Sequence, residues 1–85
     1  MKRYQVTLSK TAQKQLDKIP DNVASPILNS IAGLASDPRP QECKKLRGRN
    51  GYRIRQGIYR IIDDIVDALL LIEVIALGHR KNIYE

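Results

Sequence analysis

Seven Lys or Arg side chains and no acid lie within residues 44–60, KKLRGRNGYRIRQGIYR. Guanidinium groups present planar forks of N–H donors that match phosphate oxygens, so this cluster suits a phosphate-bearing polyanion. In GYRIRQGIYRII, Tyr52, Ile54, Tyr59 and Ile61 alternate with Arg53, Arg55 and Arg60. Gln56–Gly57 reads as a two-residue hairpin turn in which Gly supplies a positive φ. Closing the hairpin there sets Arg55 opposite Ile58, Ile54 opposite Tyr59 and Arg53 opposite Arg60. Opposed residues project on one side, so the apolar four share one face and the three arginines the other. Directly opposed like charges cost on the order of 0.2–1 kcal/mol. Mixed-sign charge would serve solubility without that repulsion, so the all-positive face favours an anion-binding surface. Lys44, Lys45, Arg47 and Arg49 extend it upstream. The cluster implies phosphate binding and says nothing of cleavage.

A second group follows the apolar run ALLLIEVIAL, in GHRKNIYE. His79, Arg80 and Tyr84 each have an ordinary reading: a structural histidine, a surface charge, a packing tyrosine with a wet hydroxyl. Their conjunction with the arginine face carries more weight. An Arg and a Tyr leaving the central strand beside that face suit one bound phosphate and one stacked base.

The elements that must position these groups are legible in the hydrophobic spacing. RYQVTL alternates as a half-buried strand. Ser9 caps a helix whose stripe is Ala12, Leu16 and Ile19, and Pro20 stops it. Val23, Ile27, Ile31 and Leu34 form the stripe of a second helix that ends before SDPRP. With Ser25 as N-cap, Pro26 would take the first helical position. With Asp21 or Asn22 as N-cap, preferred because Val23 and Ile27 continue the stripe, it lies deeper at the loss of one hydrogen bond. DDIVD reads as a polar-ended turn. ALLLIEVIAL reads as a central strand covered on both faces, ended by Gly78, with the side taken by Glu73 unassigned. The expected fold is α+β, one domain over residues 1–85. An N-terminal strand and two-helix hairpin pack on a mostly antiparallel, about four-stranded twisted sheet.

With 85 residues, such a domain buries only about 60% of its unfolded surface. The 42% hydrophobic and 28% charged content excludes a disordered chain. The formal net charge of +6 points to a polyanionic partner, of which nucleic acid is the usual one. Cys43 is alone, which excludes an intramolecular disulfide. One Cys and one His give no basis for a structural zinc site, so neither metal nor cofactor is expected. No signal-peptide apolar region follows MKRYQVTLSK, and ALLLIEVIAL is interrupted and too short to span a bilayer. A cytoplasmic protein without a membrane partner is expected.

KLRGRNGYRIRQGIYRII followed by LLLIEVIALGHRKNIY resembles the RelE toxin family within the RelE/ParE superfamily. The combined pattern is Y-R-I-R, Y-R-I-I and G-H-R-x-x-x-Y, and the resemblance covers nearly the whole chain. It implies a ribosome-dependent endoribonuclease that cuts mRNA in the ribosomal A site with its own side chains and no metal. It also implies a separately encoded, RelB-like antitoxin, contacts to rRNA, and contact with DNA through the antitoxin complex. In the family, the nucleotide 2′-hydroxyl attacks the adjacent phosphate, leaving a 2′,3′-cyclic phosphate and a 5′-hydroxyl. Arg53 and Arg55 match the paired basic residues of the first hairpin strand, and Arg60 the arginine on the scissile phosphate. Arg80 matches the arginine that assists the leaving oxygen, and Tyr84 the terminal tyrosine that orients or stacks on the substrate. His79 is a further RNA-contact candidate.

Two departures from the pattern matter. The best-known member has Lys at the two hairpin positions, one of them the general base. Arg stays protonated, which casts Arg55 as an electrostatic stabiliser and leaves the base open among Tyr84, His79 or a ribosomal group. Asp63 stands where an aromatic residue is common, with the parity of Tyr59 and Ile61, away from the arginines. The rival readings are a ParE-like gyrase poison of the same fold and a catalytically decayed, antitoxin-binding module.

Overall fold

The computed structural model describes residues 3–48 and 51–79. Its elements are β1 (Gln5–Leu8), α1 (Lys10–Asp17), α2 (Asp21–Gly33), β2 (Lys44–Lys45), β3 (Gly51–Gln56), β4 (Tyr59–Val66) and β5 (Leu71–His79). The strands form one sheet in the order β1-β5-β4-β3-β2, with β1 parallel to β5 and every other pair antiparallel. The α+β architecture is the expected one, with a fifth strand: the two lysines of β2 form an edge beside β3.

Ser9 caps α1 as its hydroxyl type dictates. Its Oγ accepts from the Ala12 N–H at 3.0 Å and donates to the Ile75 carbonyl at 2.6 Å, tying the helix start to β5. The helix α2 begins at Asp21, which is its first residue and not its cap, one or two residues earlier than expected, so Pro26 lies within it. Pro20 precedes it without a side-chain cap, and Asp21 sits favourably in the positive first turn. Both helices lay apolar stripes on one face of the sheet. Ala12, Leu16, Ala24, Ile27, Ile31 and Leu34 meet Ile54, Ile61, Ile65, Ile72, Val74 and Leu77, all buried.

Four expectations are corrected. The tight turn is Gly57–Ile58, because Gln56 pairs with Tyr59. Gly57 takes φ 61°, as the first central residue of such a turn requires. DDIVD is strand through Val66, and the chain reverses at Asp67–Leu70, where Leu70 takes a left-handed φ of 49°. Acidic residues suggested a turn, but the neighbouring isoleucines extend the strand and carry Asp63 into the interior. Strand β5 is not covered on both faces along its length by the described residues: Ile72, Val74 and Leu77 are buried whereas Glu73 is exposed. It also runs past Gly78, which pairs with Arg60.

A bulge in the β4–β5 pairing lies between Ile62 and Asp63, where Ile62 faces Ala76 and Asp63 faces Val74. The extra residue, Ile75, reverses the alternation of β5. Val74 and Leu77 thereby share the core side, and Glu73 is placed on the opposite side.

Ile27 is 1% exposed and central to the helix–sheet contact. Ile27→Ala is expected to lower unfolding free energy by about 2–5 kcal/mol in urea denaturation. Ile58→Ser at the turn tip, 53% exposed in the native protein, is expected to change it by about 0.5 kcal/mol or less.

Candidate nucleic-acid interface

The face turned away from the helices is built in rows across the sheet. Arg55 pairs with Arg60 and Arg60 with Gly78. In the next row on that face, Lys44, Arg53, Ile62 and Ala76 follow one another from β2 to β5. The third row is Gly51, Asp64, Glu73 and Thr7. The three arginines therefore share one face, and the directly opposed pair is Arg55 with Arg60, not Arg53 with Arg60. Moving the turn by one residue changed partners two at a time, which keeps every side chain on its side.

Exposure separates the arginines. Arg55 is exposed, Arg60 is half-buried and Arg53 is only 7% exposed. Leu46, Ile62 and Ala76 form a small apolar cluster on this face. Burial, then the charges of Arg60 and Arg55, pull the Arg53 guanidinium below its ordinary pKa. That mutual repulsion marks a concentrated positive field. It is the arrangement that an approaching phosphate, bringing two or more acceptor oxygens, would relieve.

The other sequence candidates divide. Lys44 lies on the arginine face beside Arg53 and is exposed, as is Arg47 beyond it. Lys45 pairs with Tyr52 and takes the other side of the edge strand. His79 pairs with Tyr59, on the helix side, and their rings meet edge-on with centroids 6.1 Å apart. Arg49, Arg80 and Tyr84 lie outside the described residues.

Two residues had no assigned role in the sequence. Arg39 bonds Asp67 through both terminal nitrogens, at 2.9 and 3.3 Å, and its Nε donates to the Tyr52 hydroxyl at 2.9 Å. The Tyr4 hydroxyl donates to the same Asp67 carboxylate at 2.6 Å. Arg39 and Tyr4 together hold the Asp67 carboxyl below its usual range. This network ties the α2–β2 segment to β1, β3 and the β4–β5 turn, and borders an open groove of about 880 Å³ lined in part by Lys45 and Asp64. Only the stiff Pro38-Arg39-Pro40 run hints at it in the sequence. The other residue, Asp63, is fully buried.

The chain matches, over residues 6–84, the family profile described as ParE toxin of type II toxin–antitoxin system, parDE. It belongs to that toxin family. Solved structures place this ParE-family toxin within the broader RelE/ParE superfamily. It is 28% identical to a chain of the archaeal RelE–RelB complex from Pyrococcus horikoshii OT3, covering 95% of this chain and 99% of that one, with a TM-score of 0.84. It is 26% identical to a chain of the RelBE2 toxin–antitoxin complex from Mycobacterium tuberculosis, with coverage of 92% and 99% and a TM-score of 0.81. Against the RelB–RelE antitoxin–toxin complex from Methanococcus jannaschii the identity is 29%, the coverage 92% and 94%, and the TM-score 0.75. No curated protein sequence matches significantly.

A cationic face of this kind has a measurable signature. Single-stranded RNA binding is expected to weaken with salt, and Arg55→Ala or Arg60→Ala is expected to flatten the log–log salt slope by about 0.7 each. Lys14→Ala, on exposed α1, is expected to leave the slope unchanged in the same titration.

Proposed function

We propose that this toxin is an mRNA interferase, a ribosome-dependent endoribonuclease that cuts mRNA in the ribosomal A site by attack of the 2′-hydroxyl. The observation that carries the reading is the pairing of exposed Arg55 with half-buried Arg60, beside Arg53, on the open sheet face. In the reaction the 2′-oxygen bonds to the adjacent phosphorus and gives up its proton to a base. The bond from phosphorus to the 5′-oxygen breaks, and that oxygen takes up a proton. The products are a 2′,3′-cyclic phosphate and a 5′-hydroxyl.

The pentavalent phosphorane carries more charge on its oxygens than the ground state does. Fixed guanidinium donors therefore favour the transition state. In this proposal Arg60 holds the scissile phosphate, and Arg55 stabilises the developing charge. Arg53, buried behind them, raises the field. Arg80 serves the leaving oxygen and Tyr84 orients or stacks on the substrate, by the family resemblance. The placement of His79 beside Tyr59, on the other side of the sheet from the arginines, favours Tyr84 or a ribosomal group as the base.

The relatives were solved as toxin–antitoxin complexes, which supports a cognate antitoxin as partner. Substrate and ribosome place the activity in the cytoplasm. No helix among the described residues is long and apolar enough to cross a membrane. The family match itself favours a second reading, a ParE-type toxin that poisons gyrase.

Cleavage mapping in a reconstituted translation reaction separates the two. Wild type is expected to cut mRNA within codons only when ribosomes are present. Arg60→Ala, Arg80→Ala and Tyr84→Phe are each expected to lose about tenfold or more, the scale of one transition-state donor or proton-transfer partner. Intact mRNA together with stalled gyrase complexes would replace the nuclease with the gyrase poison.

A further inference from the structure

Asp63 is 0% exposed, and neither of its carboxylate oxygens has a hydrogen-bond partner among the described residues. An ionised carboxylate in that position is strongly disfavoured, because burial removes its hydration and no donor replaces it. It stands at the β4–β5 bulge, between Tyr52 of β3 and Val74 of β5.

The segment 37–43 lies against this end of the sheet. Arg39 is bonded to the hydroxyl of Tyr52, the residue directly across from Asp63, and to Asp67 beyond it. Cys43 packs on the core cluster, and its N–H bonds the Pro40 carbonyl at 2.9 Å. The segment is thus a strap, pinned at Arg39, that leads straight into the lysines of β2.

We propose that Asp63 is a proton-operated latch on this strap: protonated, it allows segment 37–43 to close over the end of the sheet, and loss of its proton accompanies opening. The groups that bear on Asp63 are consistent with a latch. From the strap, Arg39 favours the ionised form, and Asp37, Glu42 and Cys43 lie in the same electrostatic neighbourhood. On β3 the facing group is the Tyr52 phenol, beside Lys45 of β2. From β4 itself, Asp64 projects to the other face and opposes ionisation. Across on β5 stands apolar Val74, and α2 carries no charged residue beyond Asp21 at its start. Tyr4 and Asp67 act through Arg39. Burial, with a smaller push from Asp64, raises the Asp63 pKa to about 7.

The sign follows from proton counting. The closed strap holds the proton up to about pH 7, whereas a solvated Asp63 in the open strap releases it near its ordinary value of about 4. Opening therefore becomes about tenfold easier per pH unit between these limits and is flat above them. Because the strap runs into β2, opening also loosens Lys44 at the margin of the arginine face. The inference stands whether or not the toxin is a nuclease.

The Cys43 thiol reports strap opening in the intact chain. Its thiolate attacks a disulfide reagent, and the thiolate fraction itself rises about tenfold per pH unit below the thiol pKa. Cys43 is half-buried, so in wild type the modification rate is expected to climb more steeply than about tenfold per unit between roughly pH 5 and 7, then about tenfold per unit above. Asp63→Asn, a near-isosteric neutral side chain, is expected to climb about tenfold per unit throughout. Superimposable wild-type and Asp63→Asn profiles would overturn the latch. Independently of any variant, the infrared spectrum of wild type at pH 6 is expected to keep a protonated-carboxyl carbonyl band. Its absence there would equally overturn the proposal.

Discussion

The period of two in a β-strand is the constraint on which this molecule depends. One face of a single sheet must carry the main aliphatic core, since both helices pack on that side and no Trp or Phe is available to fill it. Every residue of the other parity is then committed to the open side. Arg53, Arg55 and Arg60 are clustered because Ile54, Tyr59 and Ile61 are needed beneath the helices. Their repulsion of about 0.2–1 kcal/mol for an opposed pair is small against burying even one isoleucine, about 1.5–3 kcal/mol. The core enforces the geometry, and the charge cluster accepts it.

The open face is not uniformly positive. Asp64 and Glu73 stand opposite one another on the same side, four residues along β4 from Arg60. At about 3.3 Å per residue that is about 13 Å, longer than the Debye length of about 8 Å at physiological ionic strength. The acids therefore do not cancel the field at Arg55 and Arg60, although Arg53, one row away at about 7 Å, feels them. They give the face a direction instead, drawing a polyanion toward the hairpin end and away from the β1 end.

This logic also explains what the sequence disclosed. The faces were legible although the turn was misplaced, because a hairpin closed at Gln56–Gly57 or at Gly57–Ile58 sends each residue to the same side. Pairwise contacts were not legible, since they depend on the turn itself. Helices and caps followed from Ser9 and the aliphatic stripes, which are local signals. The side of Glu73 depended on a bulge at Ile75, and nothing in an apolar run marks which residue will be left over. The two-residue strand β2 is too short to show a period. His79 looked like part of the arginine site because it is close in sequence to Arg80, whereas alternation along β5 turns it toward Tyr59. The bonds from Arg39 to Asp67 and Tyr52 join distant parts of the chain, and no spacing rule reaches that far.

Asp63 is where local polarity and the global fold conflict. An acid was expected at a turn, yet its neighbours Ile61, Ile62 and Ile65 are all buried, and the strand they favour takes Asp63 inside. Its pKa rises from the ordinary 3.8 to about 7, so at neutral pH the unfolded chain gains about three pH units of ionisation, on the order of 4 kcal/mol. That is a large share of the 5–15 kcal/mol typical of a folded domain. Asp67, held low by Arg39 and Tyr4, works the other way: its stabilisation is present above the ordinary carboxylate range and is lost as pH falls through its depressed pKa. The penalty at Asp63 is absent below about pH 4 and complete by about pH 7. The two carboxyls therefore pull the pH of greatest stability below neutrality. The network that pins the strap is most firmly set while Asp63 keeps its proton and Asp67 has lost its own.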